Sequence, residues 1–256
     1  MGTKMVRHLR HRRLLIVASI ISTMFGIRSI GAFADNQNPD VVPPQQSVDG
    51  MTYGQWSAQW WEWLLAIPYG KNLPNPSFYS TGHHCSVNQS GRVWFLTEPT
   101  SGTMGSGAVE QCKVPTGSYI LIPLLTAECS SRETAPTFIP TPCSDDTSCR
   151  ACAKTLADSI LPGSLVASVD GTPVTGLQSS STPFPVQSPL FYFTMPERNW
   201  FSAEGDMTPA GEGFAVSDGY WLMIKPLSVG THTIHVEGAV TGFEEKVTYK
   251  ITVGEP

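Results

Sequence analysis

No acidic residue precedes Asp35, no run of like charge is long enough to form a tail, and no long apolar stretch follows Ile27. Also missing are an internal repeat and a G-x-S-x-G nucleophile elbow. Each absence excludes something. Without a second apolar run, no membrane span is expected downstream of the first residues, because a spanning helix needs about 20 apolar residues. Without the elbow, serine-hydrolase chemistry of that type loses its signature; Gly105-Ser106-Gly107 lies in a Gly/Ser-rich loop with no strand–turn–helix setting. Basic residues are few where they would matter. Six of the 16 Lys+Arg (Lys4, Arg7, Arg10, Arg12, Arg13, Arg28) lie before Asp35 and none of the 21 Asp+Glu do, so the chain from Asp35 onward carries a net charge of −11. An acidic surface repels phosphate backbones, so nucleic-acid binding is not expected.

What is present begins with a leader. A positive segment is followed by an apolar run from Leu14 to Ile27, then by Ala32-Phe33-Ala34 with small residues at the two positions a signal peptidase reads. That order defines a secretory signal. Residues 1–34 are therefore expected as a signal peptide, residues 35–50 as a flexible linker bearing Pro39, Pro43 and Pro44, and residues 51–256 as a single domain. The expected location is secreted or periplasmic.

All six cysteines follow the leader, and an even count in an exported chain favours disulfides over metal thiolates. Six cysteines allow many pairings, and sequence alone does not choose among them. The expected set is Cys85–Cys112, which would join segments flanking the strand at 92–97, Cys129–Cys152, and Cys143–Cys149, which would close a short polar loop.

The coarse pattern is mainly β. Thr52 with Gln55 fits a capping box, and Trp56, Trp60, Trp63, Leu64 and Ile67 recur at helical spacing before Pro68. Strands are expected at Arg92–Thr97, Ser118–Leu125, Ser164–Asp170, Thr172–Leu177, Val186–Met195 with an edge position or a bend at Pro189, Tyr220–Lys225 after an Asp218-Gly219 turn, Thr231–Glu237 and Val247–Val253. In the last, Val247, Tyr249, Ile251 and Val253 alternate with polar residues. A second short helix is expected near Cys149–Leu161. Together these give an immunoglobulin-like or jelly-roll-like β-sandwich with a Trp-rich N-terminal helix and one further short helix.

Several words carry a resemblance. They are Tyr53-Gly54-Gln55-Trp56-Ser57 with Trp60-Trp61, Thr81-Gly82 with Cys85, Gly91-Arg92-Val93-Trp94-Phe95-Leu96, Arg150-Ala151-Cys152-Ala153-Lys154, Ser188-Pro189-Leu190-Phe191, and Asp218-Gly219-Tyr220-Trp221-Leu222-Met223 through Pro226-Leu227 to His232-Thr233-Ile234-His235. In these the chain resembles a family of uncharacterised exported bacterial proteins. The resemblance implies location and fold, and the Cys143/Cys149 loop stands outside its pattern.

Candidate chemistry is scattered. Trp61 and Trp221 could present an aromatic platform to a sugar or a partner, although a stripe at helical spacing reads first as core. His83-His84 would be the metal candidates, since imidazole is the commonest such ligand. His232 and His235 should point to opposite faces of one strand and not share an ion. Cys149-x-x-Cys152 matches redox spacing but lacks a βαβ context, so bridging is expected. Catalysis would draw on Asp218, Tyr220, His235 and Arg198; Glu204/Asp206 is a further carboxylate pair. The leading expectation is an exported non-catalytic protein that binds a small molecule, a glycan or an envelope protein and needs no cofactor. A secreted carbohydrate or ester hydrolase with its site on loops is the alternative, and a structural envelope component the third. The loops at 73–82, 97–109 and 202–213 are the expected walls of any site.

Overall fold

The computed structural model describes residues 38, 40–98, 108–133, 143–179, 184–201 and 208–255, all within one compact unit, Asn36–Pro256. The leader at 1–34 lies outside the described residues, as do Gly105-Ser106-Gly107 and Glu204/Asp206.

Helix α1 spans Tyr53–Leu65. The Thr52 hydroxyl accepts the Gln55 amide at 3.3 Å, and the Gln55 side-chain oxygen accepts the Thr52 amide at 2.9 Å, which completes the expected capping box. Trp60, Trp61, Trp63, Leu64 and Leu65 are buried. Three indoles find carbonyl acceptors: Trp56 on Val48 at 3.0 Å, Trp60 on Leu96 at 2.7 Å and Trp63 on Val87 at 2.9 Å. The tryptophan stripe is thus a packed lid with three of its polar edges tied to the chain around it, while Trp61 Nε1 is buried without a partner.

Two mixed sheets form the sandwich. In the first, β1 (Val93–Phe95) runs parallel to β3 (Tyr119–Ser130), and β3 runs antiparallel to β8 (Gly211–Ile224). The strands β6 (Pro185–Gln187) and β7 (Phe191–Met195) lie end to end along the other edge of β8. The second sheet has the order β2 (Ala108–Pro115), β10 (Phe243–Gly254), β9 (Gly230–Val240), β4 (Val166–Val169), β5 (Thr172–Pro173), with β2 and β10 parallel. Asp170 and Gly171, both at positive φ, make the expected tight turn between β4 and β5.

Val247, Tyr249, Ile251 and Val253 of β10 join Ile234 and Val236 of β9 in one core cluster with Ile120, Ile122 and Leu124 of β3 and Leu222 and Ile224 of β8. The opposite face of the first sheet presents Leu121, Trp221 and Met223 to α1. Being covered on both faces explains why Tyr119–Leu125 of β3 and Tyr220–Ile224 of β8 are continuous apolar runs rather than alternating ones. Helix α2 (Asp146–Ala157), capped by Asp145 on Ser148, packs Cys149 and Ala153 against Cys129 and Val216. All three expected disulfides are formed: Cys85–Cys112, Cys129–Cys152 and Cys143–Cys149.

Four expectations need correction. Asp218-Gly219 is not a turn, because β8 runs through it. A Cβ on Gly219 would lie 2.5 Å from the Leu125 carbonyl oxygen and 2.6 Å from Thr126 Cα, beside an irregularity in β3 between Pro123 and Leu125. Glycine there is a requirement of close strand approach. Within 40–50, expected as flexible linker, three valines are packed into the fold while residues 45–47, 49 and 50 are exposed. Val41 bridges Ile224, the Val42 amide donates to Met223 O at 2.8 Å, and Val41, Val42 and Val48 are buried. Finally, β2 falls where no strand was expected over 108–115, and the segment expected as one strand over 186–195 is split, β6 ending at Gln187 and β7 beginning at Phe191 on either side of Pro189.

Candidate functional site

The four residues expected to cooperate in catalysis are not gathered into one group: Asp218 and Tyr220 share β8 and both act on Lys154, whereas Arg198 follows β7 and His235 lies on β9. Asp218 is on β8, where burial pushes its carboxyl up and a 2.9 Å hydrogen bond from Gln187 partly opposes the shift. Tyr220 packs against the inter-sheet core, whereas Trp221 on the same strand is fully buried in the cluster that holds α1. Its ring meets Trp60 edge-on with centroids 5.3 Å apart. Arg198 is exposed, and its backbone carbonyl accepts the Tyr69 amide at 2.9 Å. His235 belongs to the second sheet, hydrogen-bonded to Thr248 at 2.9 Å and to Glu237 at 2.7 Å. His232 sits with Asp170 at 2.7 Å. The expected aromatic platform is corrected as well: Trp61 is 4% exposed and Trp221 is 0% exposed, so neither indole face is presented to solvent.

His83 and His84 do line a concavity. An open groove of about 450 Å³ is bounded by Thr81, Gly82, His83, His84, Cys85, Ser86, Gln111 and Lys113. It is built where the loop after Tyr79 folds onto the outer edge of β2. The alternation of β2 buries Ala108, Glu110, Cys112 and Val114 and turns Gln111 and Lys113 outward. The Gln111 amide donates to Thr81 O at 3.0 Å, so the loop occupies the free edge of the strand. Cys85–Cys112 then locks loop to strand. Gly82 makes the approach possible: at φ 75° it brings its Cα so close that a Cβ would lie 2.4 Å from Gln111 O.

Within the groove the two imidazoles are 4.0 Å apart by ring centroid, and the Tyr79 ring meets them edge-on at 5.2 and 5.3 Å. Burial, followed by repulsion from His83, holds the His84 imidazole below its ordinary value. The lining offers an ammonium, an amide, two hydroxyls and two imidazoles, and no carboxylate. Among the described residues no group of three or more His, Cys, Asp and Glu has the geometry to hold a metal ion. The groove therefore suits an anion or a hydroxylated ligand.

Sequence reasoning found His83 and His84, and the loop expected as a wall at 73–82 holds Tyr79, but it missed Ser86, Gln111 and Lys113. The alternation in Ala108–Val114 was the available signal for the last two, obscured by the glutamate at an inward position. The carboxyl pairs that do form lie elsewhere. Glu128, pushed up by burial and then by Glu133, shares a hydrogen bond with that residue, and neither lines the groove.

No protein-family model and no curated protein matches the chain. Among solved structures, the solution structure of Amebosin matches over 64% of this chain and 100% of that one, at 11% identity and a TM-score of 0.21, which carries no argument about fold or function. Among the described residues no helix is long and apolar enough to cross a membrane.

Proposed function

We propose that this chain is an exported, non-catalytic binding protein of the cell envelope or exterior, and that it captures an acidic ligand, such as a carboxylate- or sulfate-bearing glycan, in the groove between the His83-His84 loop and β2. The observation that carries this reading is the composition of the groove: in a chain whose segment from Asp35 onward carries −11, the lining holds Lys113 and two histidines and no acid. A lining that carries Lys113 and no acid, on a molecule of net negative charge, is what a site for an anion requires. Three disulfides support maturation in an oxidising space, and the leader expectation agrees with it.

The test is calorimetric titration of the chain from Asp35 onward, near neutral pH and at low ionic strength, where the attraction of Lys113 for an anion is least screened. The probes are an oligogalacturonate and its neutral reduced counterpart. Saturable binding of the acidic probe, weakened about tenfold or more in Lys113→Ala and in His83→Ala/His84→Ala, supports the site. Equal binding of both probes, or variants indistinguishable from the parent, refutes it.

A further inference from the structure

Three glutamates turn inward at a margin of the sandwich. Glu98 follows β1 of the first sheet, while Glu110 on β2 and Glu245 on β10 belong to the second. Glu110 is 2% exposed and Glu245 is 8% exposed, each in the inward register of its strand. The Glu98 and Glu245 carboxyls are hydrogen-bonded to each other. One residue back, the Thr97 carbonyl accepts the buried Tyr249 hydroxyl at 3.0 Å. Oε1 of Glu98 and Oε1 of Glu110 are both sealed from solvent without a partner.

This group cannot be three carboxylates. The charges acting on Glu98 are Glu245 and Glu110, the charge acting on Glu110 is Glu245, and all three act on Tyr249. Among the described residues no ammonium or guanidinium group acts on them. On β9, beside β10, His235 and Glu237 alternate with buried Ile234 and Val236 and so face the other way. A hydrogen bond between two carboxyls needs a proton on one of them, and buried charge without a counter-charge is strongly unfavourable.

We propose that Glu98, Glu110 and Glu245 form a proton-operated clasp between the two sheets. With protons shared, the clasp holds the end of β1 against β10 and β2. Once ionised, like charges in an unscreened pocket loosen that margin. Burial pushes all three carboxyls up, Glu98 and Glu110 well above the ordinary range and Glu245 to about 7, with Glu98 partly opposing the shift of Glu245 by hydrogen bonding. Because the folded-state values are raised, the stabilisation is complete below the unfolded value near 4.5 and is lost as pH rises, for Glu245 through about 7 and for Glu98 and Glu110 through their own raised values. For each such carboxyl the folding equilibrium constant falls about tenfold per pH unit across that interval. The molecule is thereby tuned to be tightest in mildly acidic surroundings, whatever occupies the groove.

The experiment is urea unfolding of the chain from Asp35 onward, from about pH 5 to about pH 8, for the parent, Glu98→Gln/Glu245→Gln and Glu110→Gln. The parent is expected to lose stability steeply over that range, and both variants to show a shallower dependence. A parent whose midpoint does not fall, or variants that keep the full slope, would overturn the clasp. Should the double variant fail to fold, carbon-13 carboxyl titration of the folded parent decides: a glutamate titrating near 7 supports the proposal, and titration of every glutamate in the ordinary range, about 4 to 5, refutes it.

Discussion

The Tyr53 hydroxyl accepts the backbone amide of Met223 at 3.0 Å, which ties the first turn of α1 to the central strand β8. The same hydroxyl donates to Val42 O at 2.5 Å, so one side chain holds the N-terminal segment, the helix and the sheet together. Burial pushes this phenol far above its ordinary value, which keeps it a neutral donor at any physiological pH. Tyr53→Phe keeps the ring and strands two buried backbone groups. The expected loss is about 1–3 kcal/mol, read as a lowered urea midpoint with unchanged slope.

The tryptophan lid makes a sharper prediction. Trp60 touches Trp61, Trp63 and Trp221 and donates to Leu96 O. Its replacement by alanine removes packing from the whole cluster, at an expected cost of about 3–5 kcal/mol. Trp61→Ala should also lower stability without touching the affinity for an acidic probe. A Trp61→Ala protein of parental stability that no longer binds would restore the platform reading.

The disulfides should differ in worth. Cys85–Cys112 spans a sequence separation of 27 and Cys143–Cys149 one of 6. Loop-closure entropy gives about 3.5 kcal/mol for the first and about 2 kcal/mol for the second. Paired serine substitutions compared by thermal unfolding check the order. Loss of Cys85–Cys112 should also abolish groove binding, since Cys85 anchors the loop that forms one wall.

A second pH effect belongs to the β4–β5 turn. Burial lowers the His232 imidazole, and the Asp170 carboxylate at 2.7 Å with the Ser228 carbonyl at 2.9 Å reverses this, leaving it raised. Its contribution is complete below the unfolded histidine value of about 6.5 and fades as pH rises through the folded one. In Asp170→Asn the part of the stability-versus-pH curve just above that point should flatten, while the steeper loss at lower pH remains.

Much of the architecture was legible because local signals agreed with the packing. The capping box at Thr52, the alternation from Val247 to Val253 and the Asp170-Gly171 turn each hold their places. The cysteine pairs also form as expected, although spacing alone did not single them out. What was hidden depended on partners distant in sequence. Nothing local shows that β2 runs parallel to β10, and Glu110 breaks the apolar alternation that would have revealed the strand. Gly219 read as a turn because glycine's other use, letting β8 pass close to β3, is visible only with the neighbour in place. The groove was half legible: His83-His84 stood out as a pair, but Gln111 and Lys113 reach them through a strand edge and a disulfide.

The most direct measurement is a map of backbone amide shifts while an oligogalacturonate is titrated into the isotopically labelled chain. Binding in the groove predicts saturable shifts concentrated at residues 79–86 and at Gln111 and Lys113, with α1 silent. Shifts centred on another surface, or none at all at saturating probe, would contradict the account.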